Sequence, residues 1–187
     1  MAKKTMDGEY CFLKFSLADP DKVLGHRIGQ SIQLSKQTDK PLWRHYIPLS
    51  RLDEQGSVDF LIKLIDRNDE ITETGLFSHT IRDSSVGDKF SIKGPFHNWV
   101  YDGFGRILLS LDHPHNSNKP QPADKPKDNP EGVLKGEFDN IVMIAHDNGI
   151  TAFFTLIDTV SMFPKDKTSL TLIYFVDKIV DILSYSG

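Results

Sequence analysis

A two-residue alternation of apolar and polar side chains, repeated in short runs over the first half of the chain, constrains the fold more than any other feature. Cys11, Leu13, Phe15 and Leu17 alternate with Phe12, Lys14 and Ser16, and Ile28, Gln30, Ile32 and Leu34 with Gly29, Ser31, Gln33 and Ser35. Residues 42–50 supply a third run, and Val58, Phe60, Ile62 and Leu64 alternate with Asp59, Leu61, Lys63 and Ile65. Phe90 and Ile92 sit between polar neighbours in a run ending at Gly94-Pro95, and Trp99–Tyr101 and Ile107–Leu111 add one or two more. This period puts one row of each run on a core face and the other in solvent. Five to six such strands, punctuated by Gly, Pro and Asp turns and one short helix, predict a small antiparallel β barrel over residues 1–112.

The pattern then changes twice. Residues 113–136 carry five prolines (114, 120, 122, 126, 130) among Asp, Lys and Asn, the composition of a linker or extended loop. His113 and His115 lie in it without a third metal ligand at recognisable spacing. Beyond it the apolar runs are continuous: Ile141–Ala145 and Leu170–Val176 read as strands buried on both faces. Between them Ile150, Phe153, Phe154, Ile157 and Val160 have helical spacing, stopped by Pro164. Residues 137–187 therefore predict one strand-helix-strand unit.

Charge and cysteine content narrow the function classes. A formal charge of −4 argues against a nucleic-acid binder that works by neutralising phosphates. The single cysteine, Cys11, rules out an internal disulfide framework and a cysteine-cluster metal site. The N-terminus lacks the apolar region of a signal peptide, and the apolar runs are too short to span a bilayer. The expectation is a soluble intracellular protein, or a subunit held by other proteins.

Two stretches carry chemistry. In Arg44-His45-Tyr46-Ile47-Pro48-Leu49-Ser50, an extended backbone puts Arg44, Tyr46, Pro48 and Ser50 on one side. A cation, a ring and a hydroxyl on one face suit a phosphorylated planar ligand; they are also compatible with an ordinary half-exposed barrel strand. Gly75-Leu76-Phe77-Ser78 reads as a glycine just before a helix start, whose free N–H groups attract anions.

In this order the motifs resemble the ferredoxin-reductase superfamily, above all cytochrome-b5 reductases and the matching domain of nitrate reductases. Arg44, Tyr46, Pro48 and Ser50 match the R-x-Y-[ST]-P-x-S flavin motif. Leu24-Gly25, Ile28-Gly29-Gln30, Ile62-Lys63-Leu64, Gly75–Ser78, Gly94-Pro95 and Val100-Tyr101 continue the match. Met143–Ala145 through Gly149-Ile150-Thr151 align with M-I-A-G-G-T-G-I-T-P, and Asp181-Ile182-Leu183 with a later D-I-L element. The resemblance implies a Greek-key FAD-binding barrel followed by a partial α/β nucleotide-binding unit. It implies that Arg44 neutralises the FAD diphosphate and that amides at Gly75, Leu76, Phe77 and Ser78 cap it. Tyr46 would lie against the flavin ring, with Lys63 and Thr151 near flavin and nicotinamide. In the family NADH gives a hydride to FAD, and electrons leave singly to a haem or iron acceptor.

Departures from the pattern qualify that expectation. Ile47 replaces a hydroxyl residue that hydrogen-bonds the flavin, and Ala152 replaces a proline. The glycine loop reads Ala145-His146-Asp147-Asn148-Gly149, adding bulk and a negative charge where dinucleotide phosphates approach. The family's C-terminal third is missing, and the residues before Cys11 look too few for a first barrel strand. These features imply an impaired NADH site and open sheet edges that protein partners would cover. Three readings follow: an FAD-dependent electron-transfer module, an inactive structural subunit of a mitochondrial or ciliary assembly, or a nucleotide-binding regulatory module.

Overall fold

The computed structural model describes residues 1–65, 73–96, 99–110 and 133–176. The expected D-I-L element, His113, His115 and most of the proline-rich segment lie outside these residues. The first six strands are β1 (Lys3–Asp7), β2 (Tyr10–Ser16), β3 (Ser31–Lys36), β4 (Arg44–Tyr46), β5 (Ser57–Lys63) and β6 (Phe90–Phe96), with α1 (Glu73–Arg82) between the last two. They form two antiparallel sheets, ordered β1-β2-β5 and β4-β3-β6. Leu49 N–H donates to the Asp59 carbonyl at 2.9 Å, bringing the chain just after β4 alongside β5. The sheets do not close into a continuous hydrogen-bonded ring among the described residues.

The alternation works as expected. Leu13, Phe15, Ile32, Leu34, Val58, Phe60 and Ile62 point inward and form one core, which Phe77 and Ile81 of α1 seal. Gly29 is required by close approach: at φ 90°, a β-carbon there would lie 2.5 Å from the Trp99 carbonyl oxygen.

One expectation fails at the N-terminus. A first strand is present: β1 pairs with β2 from Lys3↔Lys14 to Asp7↔Tyr10. Its sequence, Lys-Lys-Thr-Met-Asp, shows no apolar row because it is an exposed edge strand. It is held by polar contacts instead. Lys4 Nζ donates to the carbonyls of Ile81, Arg82 and Ser84 at 2.6–2.8 Å, satisfying the C-terminal end of α1. The N-terminal ammonium donates to the Asp88 carbonyl at 2.6 Å.

A third antiparallel sheet contains β7 (Trp99–Tyr101), β8 (Arg106–Ser110) and β9 (Val133–Glu137). Residues 133–136, expected to belong to the linker, are thus part of a strand paired with β8. Gly136 and the nearby prolines read as breakers in sequence, and the ladder to β8 overrides them.

The α/β unit comprises β10 (Asn140–His146), a 3₁₀ turn (Asp147–Ile150), α2 (Thr151–Met162) and β11 (Ser169–Phe175). β10 and β11 are parallel, in register from Asn140↔Ser169 to His146↔Phe175. α2 covers one sheet face, where Met143 and Ala145 are buried. Among the described residues nothing covers the other face: Val142 and Ile144 are 59% and 66% exposed, and Ile173 and Phe175 are also exposed. The strands read as buried on both faces are therefore covered on one. A second core joins this unit to the rest, packing Ile28 and Tyr101 against Met143 and Leu156.

Candidate functional site

β4 begins at Arg44, and its short pairing with β3 sets Leu34 opposite Arg44 and Ile32 opposite Tyr46. Arg44 Nη1 donates to the Trp43 carbonyl at 2.9 Å. The Tyr46 ring packs against Phe60 and lies 5.6 Å from the Phe77 ring, which brings α1 beside β4. Burial pushes the Tyr46 hydroxyl well above its ordinary pKa, only partly offset by the Arg44 charge. On the opposite face of β4, His45 bridges Ser31 Oγ (3.1 Å) and Gln33 Nε2 (2.9 Å), a contact the sequence did not single out.

α1 starts at Glu73, three residues before the start just after Gly75 that the sequence suggested, so Gly75 falls within its first turn while the N–H groups of Leu76, Phe77 and Ser78 lie within the helix's own ladder. First-turn N–H groups of a helix have no partner in the helix itself. Phe77 and Ser78 face inward, and Ser78 Oγ accepts the Ile65 N–H at 3.2 Å. Ser50 is likewise committed within the protein: its Oγ accepts the Asp59 N–H at 2.6 Å. These two hydroxyls position the loop and helix around the site. Pro48 is buried, and its carbonyl accepts Thr155 Oγ1 of α2 at 3.3 Å. Thr151 Oγ1 donates to the Asn148 carbonyl at 2.9 Å, steadying the entry to α2.

Lys63, at the end of β5, gives the least expected result. Its ammonium and the Tyr10 hydroxyl both donate to the carboxylate of Asp147. Glu9 Oε2 lies 3.5 Å from the same ammonium, and the cation sits 5.6 Å from the Tyr10 ring centroid. Asp147 adopts φ 51°, the left-handed conformation that suits a glycine loop and that Asp tolerates better than most residues. Burial alone would raise its pKa, but the hydrogen bonds from Lys63 and Tyr10 and the Lys63 charge outweigh that and hold it low. The negative charge expected to face an incoming phosphate is therefore spent inside the protein.

Tyr10 was missed because only the β2–β5 register sets it opposite Lys63. A second carboxylate was missed too. Asp166 accepts Tyr101 Oη (2.6 Å), the Phe104 N–H (2.9 Å), and the N–H and hydroxyl of Thr168 (3.0 and 2.6 Å). Burial opposes ionisation there, but these bonds prevail and hold its pKa at about 2.

The structure thus brings Tyr46 against α1, Pro48 against Thr155 of α2, and Lys63 against Asp147 at the turn that leads into Thr151. An apolar cavity of about 420 Å³ lies elsewhere, between β7–β8 and β10–α2, lined by Trp99, Ile107, Leu109, Phe138, Ile141 and Phe153. It contains none of the sequence-derived site residues. Among the described residues no cluster of three or more His, Cys, Asp or Glu could hold a metal, and no helix is long and apolar enough to cross a membrane.

Residues 1–101, over half the chain, match the sequence profile of the oxidoreductase FAD-binding domain. The chain belongs to this family. It is 30% identical over 173 residues to NADH-cytochrome b5 reductase 2 of Homo sapiens, covering 91% of this chain and 57% of that protein. NADH-cytochrome b5 reductase 3 of Rattus norvegicus is 32% identical, with 91% and 52% covered. The chain spans about half the length of these curated relatives. The cytochrome b5 reductase domain of Ulva prolifera nitrate reductase superposes with a TM-score of 0.77 at 24% identity, over 97% of this chain and 62% of that one. That likeness establishes the ferredoxin-reductase-like fold. The chemistry of these residues fits FAD, the cofactor of the family: a permanently charged guanidinium and a helix start suit a diphosphate, and Tyr46, on the same short strand as Arg44, offers a ring.

Proposed function

We propose that this chain is a cytochrome-b5-reductase-like electron-transfer module that holds FAD on its barrel side. The observation that supports this reading is the contact between the Tyr46 and Phe77 rings, 5.6 Å apart, which sets α1 beside the strand that carries Arg44. Arg44 neutralises the diphosphate, and the free first-turn N–H groups of α1, that of Gly75 among them, cap it. Tyr46, fixed by Phe60 and Phe77, offers a rigid ring edge to the flavin. Bound FAD supplies two-electron uptake and one-electron release; the protein orients it and sets its surroundings. Ile47 has no hydrogen to donate, so this position tunes the flavin through packing alone.

In this reading the NADH site is impaired, because Lys63 is engaged by Asp147 and His146 and Asp147 fill a glycine-type loop. A second reading, a structural subunit whose partners cover its sheet, is favoured by the exposed row Val142, Ile144, Ile173 and Phe175. Reconstitution with excess FAD followed by gel filtration separates the two. The first predicts flavin absorbance co-eluting with protein and lost in Arg44→Ala. Colourless protein supports the second.

A further inference from the structure

We infer that Asp147 is an internal gate: it occupies Lys63 with the protein's own carboxylate and so decides whether an anionic dinucleotide can reach that ammonium. The inference deepens the reading of an impaired NADH site and rests on it for the identity of the excluded ligand.

Four observations converge. Both carboxylate oxygens are used, Oδ1 by the Tyr10 hydroxyl and Oδ2 by the Lys63 ammonium, so the contact is directional and two-pronged. The donors belong to adjacent barrel strands, where Tyr10 and Lys63 are cross-strand partners, whereas Asp147 opens the turn that leads into α2. The contact therefore bridges the two halves of the chain. The Asp147 and Lys63 side chains are only 16% and 23% exposed, so bulk water screens the pair poorly. Finally, Asp147 holds this position with a left-handed backbone. Glycine adopts that conformation at no steric cost, whereas any other residue strains it. The strain is offset here by the two charge-assisted bonds.

An anion approaching Lys63 must displace Asp147 or share the ammonium with it and with Glu9, 3.5 Å away. This differs from simple repulsion. Relief of repulsion by Asp147→Asn or Asp147→Gly would not depend on Lys63, whereas a gate acts by occupying that ammonium, so the gain on removing the carboxylate needs the lysine. Lys63 is then a latent anion-binding residue.

The test is calorimetric titration of wild type, Asp147→Gly and Asp147→Asn with NADH and with ADP-ribose, which carries the diphosphate but no redox ring. Each titration is run with and without FAD. Asp147→Gly, matched to the backbone, is expected to bind both ligands at least tenfold more tightly than wild type. Asp147→Asn, which keeps the shape without the charge, falls between. Adding Lys63→Met to Asp147→Gly abolishes the gain. Equal affinity in wild type and Asp147→Gly overturns the gate. Should the glycine variant fail to fold, amide exchange in Tyr10→Phe and Asp147→Asn decides: faster exchange at residues 148–151, with the β2–β5 ladder unchanged, supports the clasp, and unchanged exchange contradicts it. The ADP-ribose arm without FAD reads the gate even if the chain holds no flavin, so the two readings fail separately.

Discussion

The barrel and the α/β unit solve the problem of burial in opposite ways. In the barrel, every inward row from β2, β3 and β5 meets another, and α1 closes the remaining side, leaving Leu13, Leu34, Val58, Phe60 and Ile81 with no exposed surface. Its edge strand β1 carries lysines, a common protection against edge-to-edge pairing. In the α/β unit one sheet face is packed and the other is bare, and neither β10 nor β11 contains a Lys, Arg, Asp or Glu. A shared apolar core, the carboxylates of Asp147 and Asp166, and the Thr155–Pro48 hydrogen bond tie this unit to the rest.

The largest expected effect comes from breaking the barrel. Phe60→Ala removes a ring in edge contact with Phe15 and Tyr46, and should cost about 3–5 kcal/mol in denaturant unfolding. The midpoint should fall for both halves together, because a shared apolar core joins them.

Acid should separate the two regions. His26 is buried, neither ring nitrogen has a partner among the described residues, and burial lowers its pKa to about 4. The unfolded chain takes up the proton first. Stability is therefore full above about pH 6.5 and declines as pH falls towards 4, by up to about 3 kcal/mol. His26→Phe should flatten that limb of the stability curve.

Asp166 acts lower. Its folded pKa of about 2 lies below the unfolded value, so its stabilisation is present above about pH 4 and is lost as pH falls towards 2. Asp166→Ala leaves the Tyr101 hydroxyl and the Phe104 and Thr168 N–H groups without their acceptor. A loss of about 2 kcal/mol is expected, read at neutral pH by denaturant and localised by amide exchange to β11 and the 103–105 turn.

The smallest thermodynamic effect belongs to the bare sheet. Val142→Lys and Ile144→Lys should change unfolding free energy by no more than about 0.5 kcal/mol, as exposed sites do. Self-association measured by sedimentation should nevertheless drop if that face drives it.

What was legible in the sequence follows the same division. Period-2 alternation located β2, β3 and β5 because half-buried strands must alternate, and the helical spacing located α2. β1 was invisible because its anchoring is through Lys4 and the N-terminus rather than an apolar row. β9 was hidden by Gly136 and its proline-rich neighbourhood. The continuous runs of β10 and β11 announced strands but not how many of their faces would be covered, since that depends on what else packs there. In the site, the strand carrying Arg44 and Tyr46 could be read from spacing, whereas the start of α1 was placed too late because Gly75 read as a boundary and lies inside the first turn. The fates of Ser50, Ser78 and Asp147 could not be read. Each is bound by a group distant in sequence, and only strand register and helix placement reveal the partner. Asp147 shows this most clearly: its charge was visible, but whether it faced a ligand or Lys63 was not.

The central claim is that the barrel side holds FAD through Arg44 and the start of α1. Fluorescence titration of the chain with FAD, in wild type and Arg44→Ala, tests it most directly. Saturable one-to-one binding, weakened about 10- to 100-fold by the substitution, is the predicted result, the loss matching one charged hydrogen-bonding group. Absence of saturable binding, or equal affinity in the two proteins, would contradict it.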